Sequence, residues 1–126
     1  MVRQKQAAVK LTRAQALACV PVKGKLVQES RLESGEILLA YPDYKQPWFN
    51  RIIRRLGRPD DSKVRIKKLQ LDTLGTSVWE LIDGRRSVRQ LIELFADTYR
   101  LHPKEAEVSV TQFLRELGRR ELIGLR

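Results

Sequence analysis

An α+β domain, a three-stranded antiparallel sheet followed by three helices, is what this 126-residue sequence predicts. Three observations lead there. Two short runs flank the turn Glu33-Ser34-Gly35-Glu36 and read as a hairpin. A third alternating run starts at Val64. From Asp72 onward the apolar spacing becomes helical and is punctuated by caps. Strands first and helices after describe a winged-helix-like domain.

Residues 1–24 read as a basic tail containing one short helix, Arg13–Ala18, capped by Thr12 and ended before Pro21. Residues 25–126 form the domain. Residues 25–31 are the first strand, and Glu36–Tyr41 returns as the second, bounded by Pro42. An insertion follows from Pro42 to Ser62. At helical spacing Trp48, Phe49, Ile52, Ile53 and Leu56 share one face, and Asn50, Arg51, Arg54 and Arg55 the other, so an amphipathic helix is expected at 47–56. Val64–Leu71 is the third strand. Val64 and Ile66 share a parity that Leu69 and Leu71 do not, which places a bulge near Lys67–Lys68 or ends the strand there.

Asp72 caps a helix that buries Leu74, Val78, Leu81 and Ile82 and ends at Gly84, with Trp79 as a core anchor. Ser87 and Gln90 make a capping box for a second helix with the stripe Val88, Leu91, Ile92, Phe95 and Tyr99. Pro103 suits the first turn of a third helix, and the lone His102 suits its cap. Ala106, Val110, Phe113, Leu114 and Leu117 are its buried face, and Leu122–Leu125 adds a packed end.

Charge divides the chain. The net +10 sits entirely in residues 1–71, with 16 basic and 6 acidic side chains, whereas residues 72–126 hold nine of each. DNA affinity rests largely on phosphate neutralisation, and these helices carry Glu93, Asp97, Glu105, Glu107 and Glu116. That balance counts against nucleic acid as the partner of the helices. A DNA-binding winged helix-turn-helix regulator using the basic hairpin and tail stays as the alternative, marked by steep salt dependence. No run reaches the ~20 apolar residues of a membrane span, and the N-terminus lacks a signal peptide's apolar stretch, so a cytoplasmic protein is expected, with no membrane partner. The single Cys19 has no ligand partner at metal spacing, and no phosphate loop or nucleophile–base pairing is visible. No metal, no cofactor and no enzyme activity are expected.

The pattern Leu74-x-x-x-Val78-Trp79-x-Leu81-x-Asp83-Gly84-Arg85-x-Ser87-Val88, with Phe113-Leu114-x-x-Leu117 and Leu122-Ile123 behind it, resembles the PqqD family, peptide chaperones named from pyrroloquinoline quinone (PQQ) biosynthesis. The resemblance covers about half the chain strongly, and the insertion at Pro42–Ser62 departs from the shortest members. It implies a non-catalytic recognition element that binds the leader segment of a ribosomally made precursor peptide. The element presents that peptide to a modifying enzyme, often a radical S-adenosylmethionine (SAM) enzyme. It further implies that the leader adds beside the third strand, in a groove against the third helix. The residues that match this role are Val64, Arg65, Ile66, Lys67, Lys68 and Leu69 on the strand, and Val108, Thr111 and Arg115 on the helix. An apolar floor with a basic rim favours an acidic, partly apolar leader.

Blander readings stand beside these. Arg65, Lys67 and Lys68 also suit a solvated edge that resists aggregation, and a terminal segment covering Val108 is an equal expectation. The 47–56 helix has three readings: packing on the core or in a homodimer interface, docking of the partner enzyme through Trp48, Phe49, Arg51, Arg54 and Arg55, or lying on a membrane surface.

Overall fold

The computed structural model describes residues 11–43 and 65–126. Its elements, in chain order, are α1 (Arg13–Ala18), β1 (Pro21–Lys23), β2 (Gln28–Arg31), β3 (Ile37–Pro42), β4 (Ile66–Gln70), α2 (Thr73–Leu81), α3 (Val88–Tyr99), α4 (Pro103–Arg119) and β5 (Ile123–Leu125). The basic segment 1–10, the 47–56 helix and Val64 lie outside the described residues.

The molecule is mixed α+β. A three-stranded antiparallel sheet runs β2-β3-β4, with β3 central, and the short β1 and β5 make a second antiparallel pair. The hairpin turns at Gly35, whose φ of 93° suits a residue without Cβ. Alternation then sends Ile37, Leu39 and Tyr41 into the core. Pro42 ends β3 at a position whose backbone nitrogen faces the β2 side, beyond the first paired residue of β2, so its missing N–H breaks no rung.

The helices begin where their caps predict. Thr12 with Gln15, Ser87 with Gln90 and His102 with Glu105 all form reciprocal capping boxes, and the Asp72 side chain accepts from the Gly75 N–H at 2.7 Å. Trp79 is buried in the same core as Leu91, Phe95, Leu117 and Leu122, and the Lys23 ammonium lies 4.6 Å from the centre of its ring. Thr76 is buried because its hydroxyl accepts the Ile37 N–H at 3.0 Å, tying α2 to the start of β3.

Three expectations need correction. The first strand starts at Gln28 and not at residue 25, because Gly24 bonds to Leu122 and turns the chain out of the β1–β5 pair. There is no bulge at Lys67–Lys68: the pairing with β3 is continuous from Ile66 to Gln70. The parity conflict resolves by turning Ile66 outward, 48% exposed, while Leu69 packs on the core. Leu74 is also not buried, at 46% exposure, because α2 turns Gly75, Thr76, Val78 and Trp79 inward instead.

Candidate functional site

β4 has β3 on one side and, among the described residues, no strand on the other. Its hydrogen-bond phase can be read from the two ends of the ladder. The Asp43 N–H donates to the Arg65 carbonyl at 3.0 Å, and the Leu71 N–H donates to the Ile37 carbonyl at 2.8 Å. In an antiparallel ladder bonded pairs recur every second residue, so residues 65, 67, 69 and 71 turn their backbone groups toward β3. The N–H and C=O groups of Ile66, Lys68 and Gln70 therefore point out from the open edge.

Side chains alternate on the same strand. Lys67 and Leu69 face the helices, opposite Tyr41 and Leu39, whereas Ile66, Lys68 and Gln70 occupy the outer face, opposite Pro42, Ala40 and Leu38. The two lysines thus differ. The Lys67 ammonium lies 3.8 Å from the buried carboxylate of Asp43. Lys68 is exposed above the small Ala40 and forms no ion pair among the described residues. Gln70 donates to Glu36 at 2.8 Å, which puts a carboxylate next to that end of the outer face.

The other edge, β2, is less open to an added strand. Its helix-side residues Glu29 and Arg31 are engaged by Lys23 at 3.2 Å and by Glu80, so ion pairs flank that edge. Long charged side chains on an edge are a common guard against further pairing.

α4 presents two flanks. One reaches the sheet through Arg120 at its C-cap, which donates to the Tyr41 hydroxyl at 3.1 Å and to Glu116 at 2.9 Å. The bond to Tyr41, ahead of that to Glu116, raises the Arg120 pKa above its usual value. Further up the same flank, Ser109, Gln112 and Phe113 face Asp72, Leu74 and Gly75 across a cleft of about 340 Å³ that opens where β4 ends. Gly75 is required for this approach: a Cβ there would stand 2.9 Å from the Phe113 ring and 3.1 Å from the Asp72 carboxylate.

The helix residues named from the sequence lie on the other flank. Thr111 and Arg115 line a cavity of about 310 Å³ with Ala16, Val88, Leu114 and β5. Val108, 54% exposed, shares a recess with Arg13, Lys104 and Glu107. The structure brings Ile66, Lys67, Lys68 and Leu69 together on one edge, with Arg65 at its start. It gathers Thr111, Arg115 and Val108 around α1 and β5, away from that edge. Trp48, Phe49, Arg51, Arg54, Arg55 and Val64 are outside the described residues. Gln112 and Phe113, which line the α2–α4 cleft, and Glu116 and Arg120, which sit where α4 reaches the sheet, were not among the helix residues singled out from the sequence as a binding surface. Both flanks of an amphipathic helix border its buried stripe, and only the tertiary bond to Tyr41 tells which one meets the sheet.

Among the described residues no group of three His, Cys, Asp or Glu side chains is placed to hold a metal ion, and no helix is long and apolar enough to cross a membrane. No curated protein and no solved structure matches the chain. Residues 63–123 run from the lead-in to the open strand through the three helices to β5. Over that segment the chain matches the model of the family described as Coenzyme PQQ synthesis protein D (PqqD), so the family resemblance read from its motifs is shown there.

Proposed function

We propose that this chain is a non-catalytic peptide-binding module acting in peptide modification of the PQQ-biosynthesis kind. It takes the leader of a ribosomally made precursor as an added strand on β4 and presents it to a modifying enzyme, of which a radical SAM enzyme is the expected type. The observation that carries this reading is the outward backbone of Ile66, Lys68 and Gln70 on the open edge of β4. Main-chain bonds on such an edge supply affinity, and side-chain pockets supply specificity. The match to the PqqD family over residues 63–123 supports the same reading.

The test is retention of a short unmodified peptide from nuclease-treated lysate of the native host. Ile66→Pro removes an outward donor without touching a bond to β3, so it is expected to abolish retention while leaving the circular dichroism spectrum unchanged. Equal retention by a folded Ile66→Pro variant would move the site elsewhere. Recovery of nucleic acid alone, lost with nuclease and moderate salt, would favour the DNA-binding alternative.

A further inference from the structure

Resting on the strand-addition reading, we infer that the β4 edge selects peptides in which an apolar residue and an acidic residue are immediate neighbours, and that Lys68, not Lys67, reads that acid. The argument is one of phase. A strand added to β4 alternates its side chains as β4 does. The residue opposite Leu69 points to the helix side, where Leu69 packs on the core and offers an apolar neighbour. The adjacent residue, opposite Lys68, points to the outer face. There the ammonium is exposed, has no ion pair among the described residues, and is supported on one side by Ala40, which is too small to cover it.

The neighbouring positions discriminate further. A residue opposite Gln70 shares its face with Glu36, so an acid is disfavoured there. A residue opposite Lys67 meets a charge already held by Asp43. One position opposite Lys68 therefore collects the acidic preference, next to the apolar preference opposite Leu69. Both strand directions keep the two residues adjacent; only their order reverses. Directly opposite pairs of unlike charge are favourable on a sheet, and like charges there are not.

The experiment is selection of a random short-peptide display library on the intact protein and two variants. The wild type is expected to enrich adjacent apolar–acidic pairs, and replacing the acid by its amide in the enriched peptide should weaken binding by about 1.5-fold to fivefold. Lys68→Glu should switch the enriched neighbour from acidic to basic, and Lys67→Met should leave it acidic. Ile66→Pro should enrich nothing. An acidic preference unchanged in Lys68→Glu, or an acid spaced two residues from the apolar position, overturns the inference while strand addition stands. Enrichment by Ile66→Pro of the same peptides as the wild type overturns strand addition itself, and with it this inference.

Discussion

Asp83 closes the turn between α2 and α3 with a single oxygen, which accepts the N–H groups of Arg85 and Arg86, each at 2.9 Å, around a Gly84 held at φ 79°. Those two backbone donors, Arg86 first, favour the charged form and hold the Asp83 carboxyl below its ordinary range. The sign follows directly. A carboxylate with a depressed folded pKa contributes stability above its unfolded pKa, near 3.9, and loses it as pH falls through the lower folded value. Asp83→Ala is therefore expected to melt below the wild type at neutral pH, with the gap narrowing as pH drops under about 4. Melting curves across that range check it, and a gap independent of pH would assign the loss to chain geometry instead. The Asp-Gly pair was legible in the sequence because its function is local. Gly75 was not, because its reason is Phe113, 38 residues further along the chain.

At the level of the element, the open strand makes a prediction about proline. Its N–H groups alternate between β3 and solvent, so neighbouring residues should respond in opposite ways. Lys68→Pro removes a solvent-facing donor on an edge strand and is expected to cost no more than about 1 kcal/mol while blocking peptide binding. Leu69→Pro removes a bond to β3 and a side chain from the core, and is expected to cost more than about 3 kcal/mol. Denaturant titration of the two variants decides the point, and equal losses would mean that the phase read from Arg65 and Leu71 is wrong. The strand itself was legible from Val64–Leu71, but its phase was not. Ile66 and Leu69 demanded opposite faces, and the sequence offered a bulge as the compromise. The structure gives the core to Leu69 and leaves Ile66 outside, because the continuous register with Ile37, Leu39 and Tyr41 allows only one parity inward.

Across the whole molecule, the segment before the hairpin is bound into the fold at three places. Leu17 is buried in the core at 3% exposure. Arg13 grips Glu107 of α4 with bonds of 2.9 and 2.7 Å, and the hydrogen bond from Arg13 lowers the Glu107 pKa. β1 pairs with β5, and the Val20–Arg126 backbone bonds of 2.8 and 3.0 Å extend that pairing. Local caps made α1 readable, whereas the β1–β5 pair was not: three residues near one end join three near the other, with no alternation long enough to announce them. These contacts have an energetic consequence. Leu17→Ala should cost about 2–5 kcal/mol as a buried large-to-small change. Arg13→Ala should cost far less than Leu17→Ala, since its ion pair is exposed and screened by solvent. A protein cut to residues 25–126 loses Leu17, β1 and the pairing that fixes β5, so it is expected to melt well below the full chain, by more than Leu17→Ala alone. Thermal melts of the three proteins test this. A fragment 25–126 as stable as the intact chain would show that the segment rests on a domain already complete without it. On the strand-addition proposal, peptide affinity should fall in the fragment only as folding falls, because β4 takes its order from its pairing with β3, to which α1 and β1 contribute no residue.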